Sequence, residues 1–541
     1  MRIIGFLFLS LLIFVNAIQA SPVVLNTNLQ IRLVLNTPTS SQSVRIAKDP
    51  RNNQLYYLQI NGDIYQVNLT NSTSAKVYSS VNHGLSNSVE GLAIGPGGTM
   101  YVLGDFSTTT TSNGDYGYIH IMKGVPNGSG VRVWSLLAQT DLWQRSKGQF
   151  DHNCSALIVS PDGQYLYYNA GSRTDHGEVE DAGGLFPNTR EVALTAKIFR
   201  VPANGSNLFL TNNLAALKSA GYVFAEGTRN AFDFAFAPNG DLFATDNGPD
   251  RDMSDSLYWL REGLHYGFPW RMGGMDNPQQ FSSYNPSTDL LLDSRFFAVN
   301  SGRYHNDPTF PPAPTNFTDP VINLGPDADE YRDPTDGSIK SASELGRTLA
   351  TFTAHRSPLG LVFDVTGAMA PPFQYHGFVL SWTPGDPSGN SVPGPFDDPS
   401  QDMLDLNMTK LGNTNYEMQA TRIVGGFANP IDAEIISNKI YAIEYGGNQG
   451  LWEITFPPAA SPSQMTASIT VSNGTPAVTF SGVPNFTYDV QRSTNLSPGV
   501  GLGWMTIWET NMPNTGEFLF WDNFGDLGFQ PDAAWYRLHS P

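Results

Sequence analysis

Six stretches of this chain repeat one pattern, and that repetition constrains the fold more than any other feature. Each unit has an apolar run, a turn usually built on Pro or Gly, a second run rich in Tyr, Phe and Leu, and then a further strand. Clear copies begin at Val44 (VRIAKDPRNNQLYYLQ, then DIYQV), Gly91 (GLAIGPGGTMYVLGD, then YIHIM), Ala156 (ALIVSPDGQYLYYNAG, then KIFRV) and Asp233 (DFAFAPNGDLFATDNG, then SLYWL). Weaker ones begin at Gly360 (GLVFDVTGAMAPP with GFVLSW) and Asp432 (DAEIISNKIYAIEYGG with GLWEI). A unit this small cannot bury both faces of its own sheet, and packing several units radially removes the difficulty. Residues 21–455 therefore read as an all-β, six-bladed β-propeller. A double-sheet sandwich leaves the regular alternation unexplained. Long insertions interrupt the repeat near residues 108–118, 173–196, 271–345 and 382–425, and ordered insertions in such folds tend to line one rim.

Composition agrees with a turn-rich β protein: 15% charged residues, 12% aromatics, 52 Gly and 38 Pro among 541 residues. A formal net charge of −19 with no basic stripe argues against nucleic acid as a partner. Arg2, the apolar run 3–15 and the small-residue region 16–20 read as a signal peptide over residues 1–20, cleaved near Ala20, which implies a secreted or periplasmic protein. The run is short for a membrane span, and no later segment is long and apolar enough to make one. Cys154 is the single cysteine, so no intramolecular disulfide framework exists. After Glu453 the repeat stops. Residues 456–464 (FPPAASPSQ) read as a linker, and 465–541 as a small immunoglobulin-like β-sandwich of short alternating strands. That module carries no catalytic constellation and suits a spacer or attachment role.

The chemistry is expected in the propeller. Glu90 stands just before the first strand of the second copy, His152 before the third, Arg229 and Asn230 before the fourth, and His355 and Arg356 before the fifth. Repeat symmetry places all of them around one mouth of the central channel. A neutral His152 imidazole there is suited to general-base work, and Arg229 to holding a carboxylate or a developing oxyanion. Taken singly, His152 reads first as a hydrogen-bonded packing residue, a preference that the shared position across copies reverses, and Arg229 reads also as an ion-pairing group across blades. Asp246, Asn247, Gly248 and Pro249 follow the second strand of the fourth copy, at the same end of the hairpin. The Gly248 and Pro249 carbonyls are hard oxygen ligands of the kind Ca²⁺ takes. Asp250, Asp252 and Asp255 crowd the same loop, though not at EF-hand spacing.

These residues carry a resemblance. Gly227-Thr228-Arg229-Asn230, then Gly248-Pro249, Asp255 and His265-Tyr266-Gly267-Phe268-Pro269, resemble a pattern of the soluble glucose/sorbosone dehydrogenase family. HNCSALIVSPDGQYLYYNAG resembles its catalytic-histidine segment, and SVEGLAIGPGG, AKIFRV and HRSPLGLVF resemble further motifs. The likeness covers roughly residues 40–455. The family consists of six-bladed propellers that oxidise aldoses with pyrroloquinoline quinone (PQQ) and Ca²⁺. The resemblance implies His152 as the base and Arg229 as the group that stabilises charge on the reduced quinone. It implies Glu90, His152, Arg173, Arg229, Asn230, Asn247 and Arg356 around the cofactor, and Gly248, Pro249, Asp255 and Tyr266 at the metal. The substrate is then an aldose or oligosaccharide, the product a lactone, and an external acceptor takes the electrons. The chain departs from the family in its fifth and sixth copies, whose strands lack the basic residues that meet the PQQ carboxylates. Arg356, Arg173 and Arg422 are the substitutes at hand. Ser256 also stands where many relatives have a Glu ligand, and Pro371-Pro372 fall in an expected strand. Two other readings stay open: a non-catalytic propeller that binds sugar or protein, and a Ca²⁺-dependent lactonase-like hydrolase.

Overall fold

The computed structural model describes residues 21–108, 115–385, 394–446, 449–459, 468–472, 475–482, 487–494, 504–513 and 516–539. The expected signal peptide and most of the expected linker lie outside the described residues. Two compact units meet in the chain after Pro457.

In the first unit the repeated hairpins become the inner strands of six sheets among the described residues. The first sheet runs Ser43–Asp49, Gln54–Gln59, Ile64–Asn68 and Thr73–Tyr78. Inner strands of the next three are Val89–Ile94, Leu157–Val159 and Ala231–Phe236, each paired antiparallel with the strand that follows it. Pro358–Phe363 opens the fifth sheet and Pro430–Ile436 the sixth. The inner strand of each sheet packs beside that of the next, and the sixth beside the first, so the six close a ring.

Closure uses the start of the chain. Gln30–Asn36 pairs antiparallel with Gly450–Thr455 and completes the sixth sheet, with Arg32 forked onto Glu453 at 2.9 and 2.7 Å. Val23–Val24 pairs with the fifth sheet. Apolar side chains between neighbouring sheets form the core. Tyr57, Leu58 and Val102 fill one such layer, Phe199 and Leu166 another, Phe243 and Leu404 a third, and all are essentially inaccessible. Burying a large apolar side chain contributes roughly 1.5–3 kcal/mol. Where inner strands run closest there is no room for a side chain. A Cβ on Gly360 would lie 2.7 Å from Asp432 Cα of the sixth sheet.

The fifth sheet differs from its sequence reading. Pro371 and Pro372 lie in the connection, Gly377–Ser381 is the second strand, and the supposed insertion holds the third and fourth strands, Asp402–Leu411 and Asn415–Gly425. Polar residues on the outer faces of that long hairpin hide it from an apolar-periodicity reading.

One charged side chain occupies the middle of the ring. Arg45, 3% exposed, reaches from the first sheet to donate to the carbonyls of Glu90 (3.0 Å), Ser155 (3.2 Å) and Phe232 (2.7 Å). Its other terminal nitrogen lies 3.9 Å from Asp233 and 4.0 Å from Asp432. It thus ties the second, third and fourth inner strands to the first.

The second unit has two three-stranded antiparallel sheets among the described residues. Ser468–Ser472, Thr475–Ser481 and Glu517–Trp521 form one, and Met505–Asn511, Thr487–Ser493 and Trp535–His539 the other. Val478, Phe480 and Val490 are its buried centre. Among the described residues of both units, no helix is long and apolar enough to cross a membrane.

Candidate active site at one mouth of the ring

The hairpin of the fourth sheet fixes the site. Ala231 lies opposite Asp246 in register, so the residues just before the first strand and just after the second share one end. Asp246 accepts from the backbone N–H groups of Arg229 (3.0 Å) and Asn230 (2.5 Å), which sets both residues in place. Burial pushes the Asp246 carboxyl up to about 7, against the pull of those N–H groups and of Arg229.

Arg229 is 5% exposed and fully engaged on one side. Its Nε donates to the Asp175 carbonyl (2.7 Å), Nη2 to Asp175 Oδ1 (2.8 Å) and Nη1 to the Asn247 carbonyl (3.1 Å). Asp175, wholly buried, also accepts from the Asp250 N–H (3.0 Å), the Tyr304 hydroxyl (3.0 Å) and His176 Nδ1 (2.9 Å). Burial alone would raise this carboxyl, but Arg229 and His176 hold it well below the usual carboxylate range. His176 is stacked on Tyr304 at 3.8 Å, and its Nε2 faces Gln279 Oε1 at 3.3 Å. With an acceptor at each nitrogen the ring favours the imidazolium. Burial opposes that charge, while Glu178 and Asp175 raise the pKa overall.

His152 precedes the third inner strand. Its Nδ1 lies 3.1 Å from the Ser172 carbonyl and 3.0 Å from Ser172 Oγ. A carbonyl only accepts, so Nδ1 carries the proton and Nε2 of the neutral ring keeps its lone pair. Burial first, and Arg229 second, lower the imidazole to about 3, against the backbone carbonyls of Ser172 and Phe150. Gly171 leaves the ring its place, since a Cβ there would come within 2.4 Å of His152 Cβ.

Arg229 and His152 meet on the wall of one cavity of about 470 Å³, with Asp175, His176 and Asp246 behind them. Of the expected residues, His152, Arg229, Asn230, Asn247, Gly248 and Asp255 are on its wall, with Pro249 next in the chain. Four expected residues are elsewhere. The Glu90 carboxylate accepts from Asn153 (2.8 Å). Arg173, 1% exposed, donates to the carbonyls of Gln144, Glu180, Thr189 and Arg190 and pins the insertion around it. Tyr266 is 1% exposed, with its hydroxyl between the Trp259 carbonyl and the Arg261 N–H, both at 2.7 Å. Arg356 turns away onto Asp402 (2.6 Å) and Asp398 (2.7 Å), and Arg422 joins it on Asp402 (2.9 Å). Asp255 spends both oxygens on backbone, taking the N–H of Gly248 (2.6 Å) and of Ser357 (2.7 Å), so it holds two loops together.

The remaining wall residues, His355 and Asp250 apart, were not singled out from the sequence. Phe150, and Phe296 and Phe297 from the long insertion, bring aromatic rings to the wall, and Arg295 beside them is also on it. His355 and Ser357 come from the fifth sheet. Position before an inner strand marked His355, whereas nothing in the aperiodic insertion marked Phe296. Asn247 Oδ1 is buried with no protein partner, beside the Gly248–Pro249 turn and Asp250. Such an amide oxygen, peptide carbonyls and a carboxylate form a hard donor set that fits Ca²⁺. Among the described residues, no three His, Cys, Asp or Glu side chains gather as a metal site.

Residues 106–289 match the family model described as Glucose / Sorbosone dehydrogenase. The resemblance is to that family. The matched segment contains His152, Arg229 and the Gly248–Pro249 turn, and is narrower than the span expected from the motifs. Quinoprotein glucose dehydrogenase B of Acinetobacter calcoaceticus is 24% identical over 198 residues, 33% of this chain and 38% of that protein. The match thus spans well under half of that relative. Among solved structures, the PQQ-bound form of an aldose sugar dehydrogenase from Streptomyces coelicolor aligns with 80% of this chain and 99% of its own, at 14% identity and a TM-score of 0.43. The apo form of the soluble aldose sugar dehydrogenase of Escherichia coli aligns with 79% of this chain and 99% of its own, at 11% identity and a TM-score of 0.46.

Proposed function

We propose that the protein is an exported, PQQ- and Ca²⁺-dependent sugar dehydrogenase that oxidises the C1 hydroxyl of aldoses to lactones. In this reading the six sheets are the blades of a propeller, and the second unit is a small immunoglobulin-like appendage. The observation that carries it is the meeting of His152, Arg229, Asn230 and the Gly248–Pro249 turn on one cavity, within the segment that matches the family.

The cavity suits a flat anionic quinone, with the rings of Phe150, Phe296 and Phe297 and the polar groups of Arg229 and Asn230 all on its wall. Bound PQQ supplies the two-electron acceptor that takes the C1 hydride. Asn247 Oδ1 and the carbonyls of Gly248 and Pro249 would hold Ca²⁺. His152 takes the C1 hydroxyl proton on Nε2, the nitrogen that Ser172 leaves unprotonated. Arg229, fixed by Asp175, presents its remaining N–H bonds to negative charge in the cavity. Loss of that proton and the C1 hydride together leaves the lactone, and an external acceptor later removes the two electrons.

The test is reconstitution of the purified protein with PQQ and Ca²⁺, followed by dye reduction with a panel of aldoses. A cofactor spectral change and aldose-dependent dye reduction are expected. Absence of any spectral change at saturating PQQ would sink the reading, and full activity in His152→Ala would remove His152 as the base.

A further inference from the structure

We propose that His355 is the cavity's carboxylate-binding group on the fifth sheet, meeting an acid group of the bound quinone through Nδ1. The proposal rests on the reading of the cavity as a PQQ site. PQQ carries three carboxylates, and an acid group left unpaired in a closed site is costly. The fifth and sixth inner strands bring no basic side chain to meet them, and the three arginines named from the sequence as substitutes do not serve. Arg356 and Arg422 are committed to Asp402, and Arg173 to backbone carbonyls.

His355 stands three residues before the fifth inner strand, at the strand entry that corresponds to the one where Arg229 and Asn230 precede the fourth. Its side chain is 8% exposed and lines the cavity. Nε2 is fixed at 2.8 Å on Asp252 Oδ1, and the Asp252 carboxylate is shared with Arg332 at 2.5 Å. The ring packs against Phe296 with centroids 4.2 Å apart. Nδ1 has no hydrogen-bond partner among the described residues. It is thus an unpartnered polar atom of a side chain that is nine-tenths buried and locked at its other edge.

The backbone explains why His355 faces inward and Arg356 does not. His355 has φ 65° and Ser357 φ 53°, left-handed conformations that side chains rarely adopt. Asp255 on the Ser357 N–H, and the N–H groups of Trp382 and Thr383 on the carbonyls of Ser357 and Arg356, hold the strand entry there. Successive side chains consequently leave on opposite sides, His355 and Ser357 into the cavity and Arg356 out to its two aspartates. Burial disfavours charge on His355, but Asp252 first, then Asp255 and Asp250, raise its pKa. An imidazolium anchored in this way donates a charge-assisted hydrogen bond to an incoming carboxylate.

The experiment is equilibrium titration of the full-length wild type and His355→Gln with PQQ in the presence of Ca²⁺, read by the cofactor's absorbance. A hydrogen bond to a charged group corresponds to about 10–100-fold in affinity, and a loss in that range is expected for H355Q. Binding within about two-fold of wild type overturns the proposal while leaving the dehydrogenase reading standing. No binding by the wild type itself overturns both. A measurement on unmutated protein covers the case in which H355Q does not fold. Diethylpyrocarbonate modification of His355, followed by peptide mass, should be suppressed by saturating PQQ, and equal modification with and without PQQ overturns the assignment.

Discussion

Burial and the adjacent Arg229 guanidinium hold the His152 imidazole near 3, so the ring is unprotonated at any ordinary working pH. Two expectations follow from the sign of that shift. In kcat/KM for the reconstituted enzyme, the acid limb assigned to His152 falls well below the ordinary histidine value of about 6.5, toward the folded value. His152→Ala loses about 10²–10⁴-fold in rate. In stability, the unfolded chain takes up a proton below about 6.5 that the folded ring refuses. The His152 contribution is complete above that value and is lost as pH falls toward 3. Urea denaturation between pH 7 and 4 should therefore cost the wild type more stability than His152→Ala. Asp175 is the second informative residue. Asp175→Asn leaves Arg229 buried without its partner, and breaking such a pair costs about 3–5 kcal/mol, measurable as a lower urea midpoint. Position before an inner strand picked out His152, Arg229 and Asn230, which share one cavity wall, but also Glu90 and Arg356, which do not. Asp175, His176, Tyr304 and Phe296 come from insertions that lack repeat register, and only the folded chain shows that they meet.

Among the elements, the inner hairpins were readable because tight turns and alternating apolar residues are local properties. Two features were not. The 402–425 hairpin carries polar outward faces, and the closing strand Gln30–Asn36 finds its partner more than 400 residues later, as the 421-residue separation of Arg32 and Glu453 shows. That strand occupies an edge of the sixth sheet, so a chain starting at Thr37 exposes the edge of Gly450–Thr455. Such a truncation should lower the thermal midpoint and promote association, checked by calorimetry and light scattering. Packing between inner strands is equally exacting. Gly360→Ala forces a methyl against Asp432 Cα and should destabilise by about 1–3 kcal/mol in chemical denaturation.

For the whole molecule, the division after Pro457 separates every residue of the cavity from the second unit. A protein ending at Pro457 should retain PQQ titration and dye-reduction rates within about two-fold of the full chain, a span within ordinary context-dependent variation. Loss of cofactor binding on that truncation would assign the second unit a part in the site. The cross-ring Arg45 has a kinetic meaning. A second cavity of about 600 Å³ opens beyond it along the far ends of the inner strands, with Arg45 itself in the wall. The guanidinium and the three carbonyls it grips stand between the two spaces. In the proposed dehydrogenase, sugar and electron acceptor then reach the cavity from the same side of Arg45, one after the other. Turnover should alternate between half-reactions, giving parallel double-reciprocal plots when both reactants are varied.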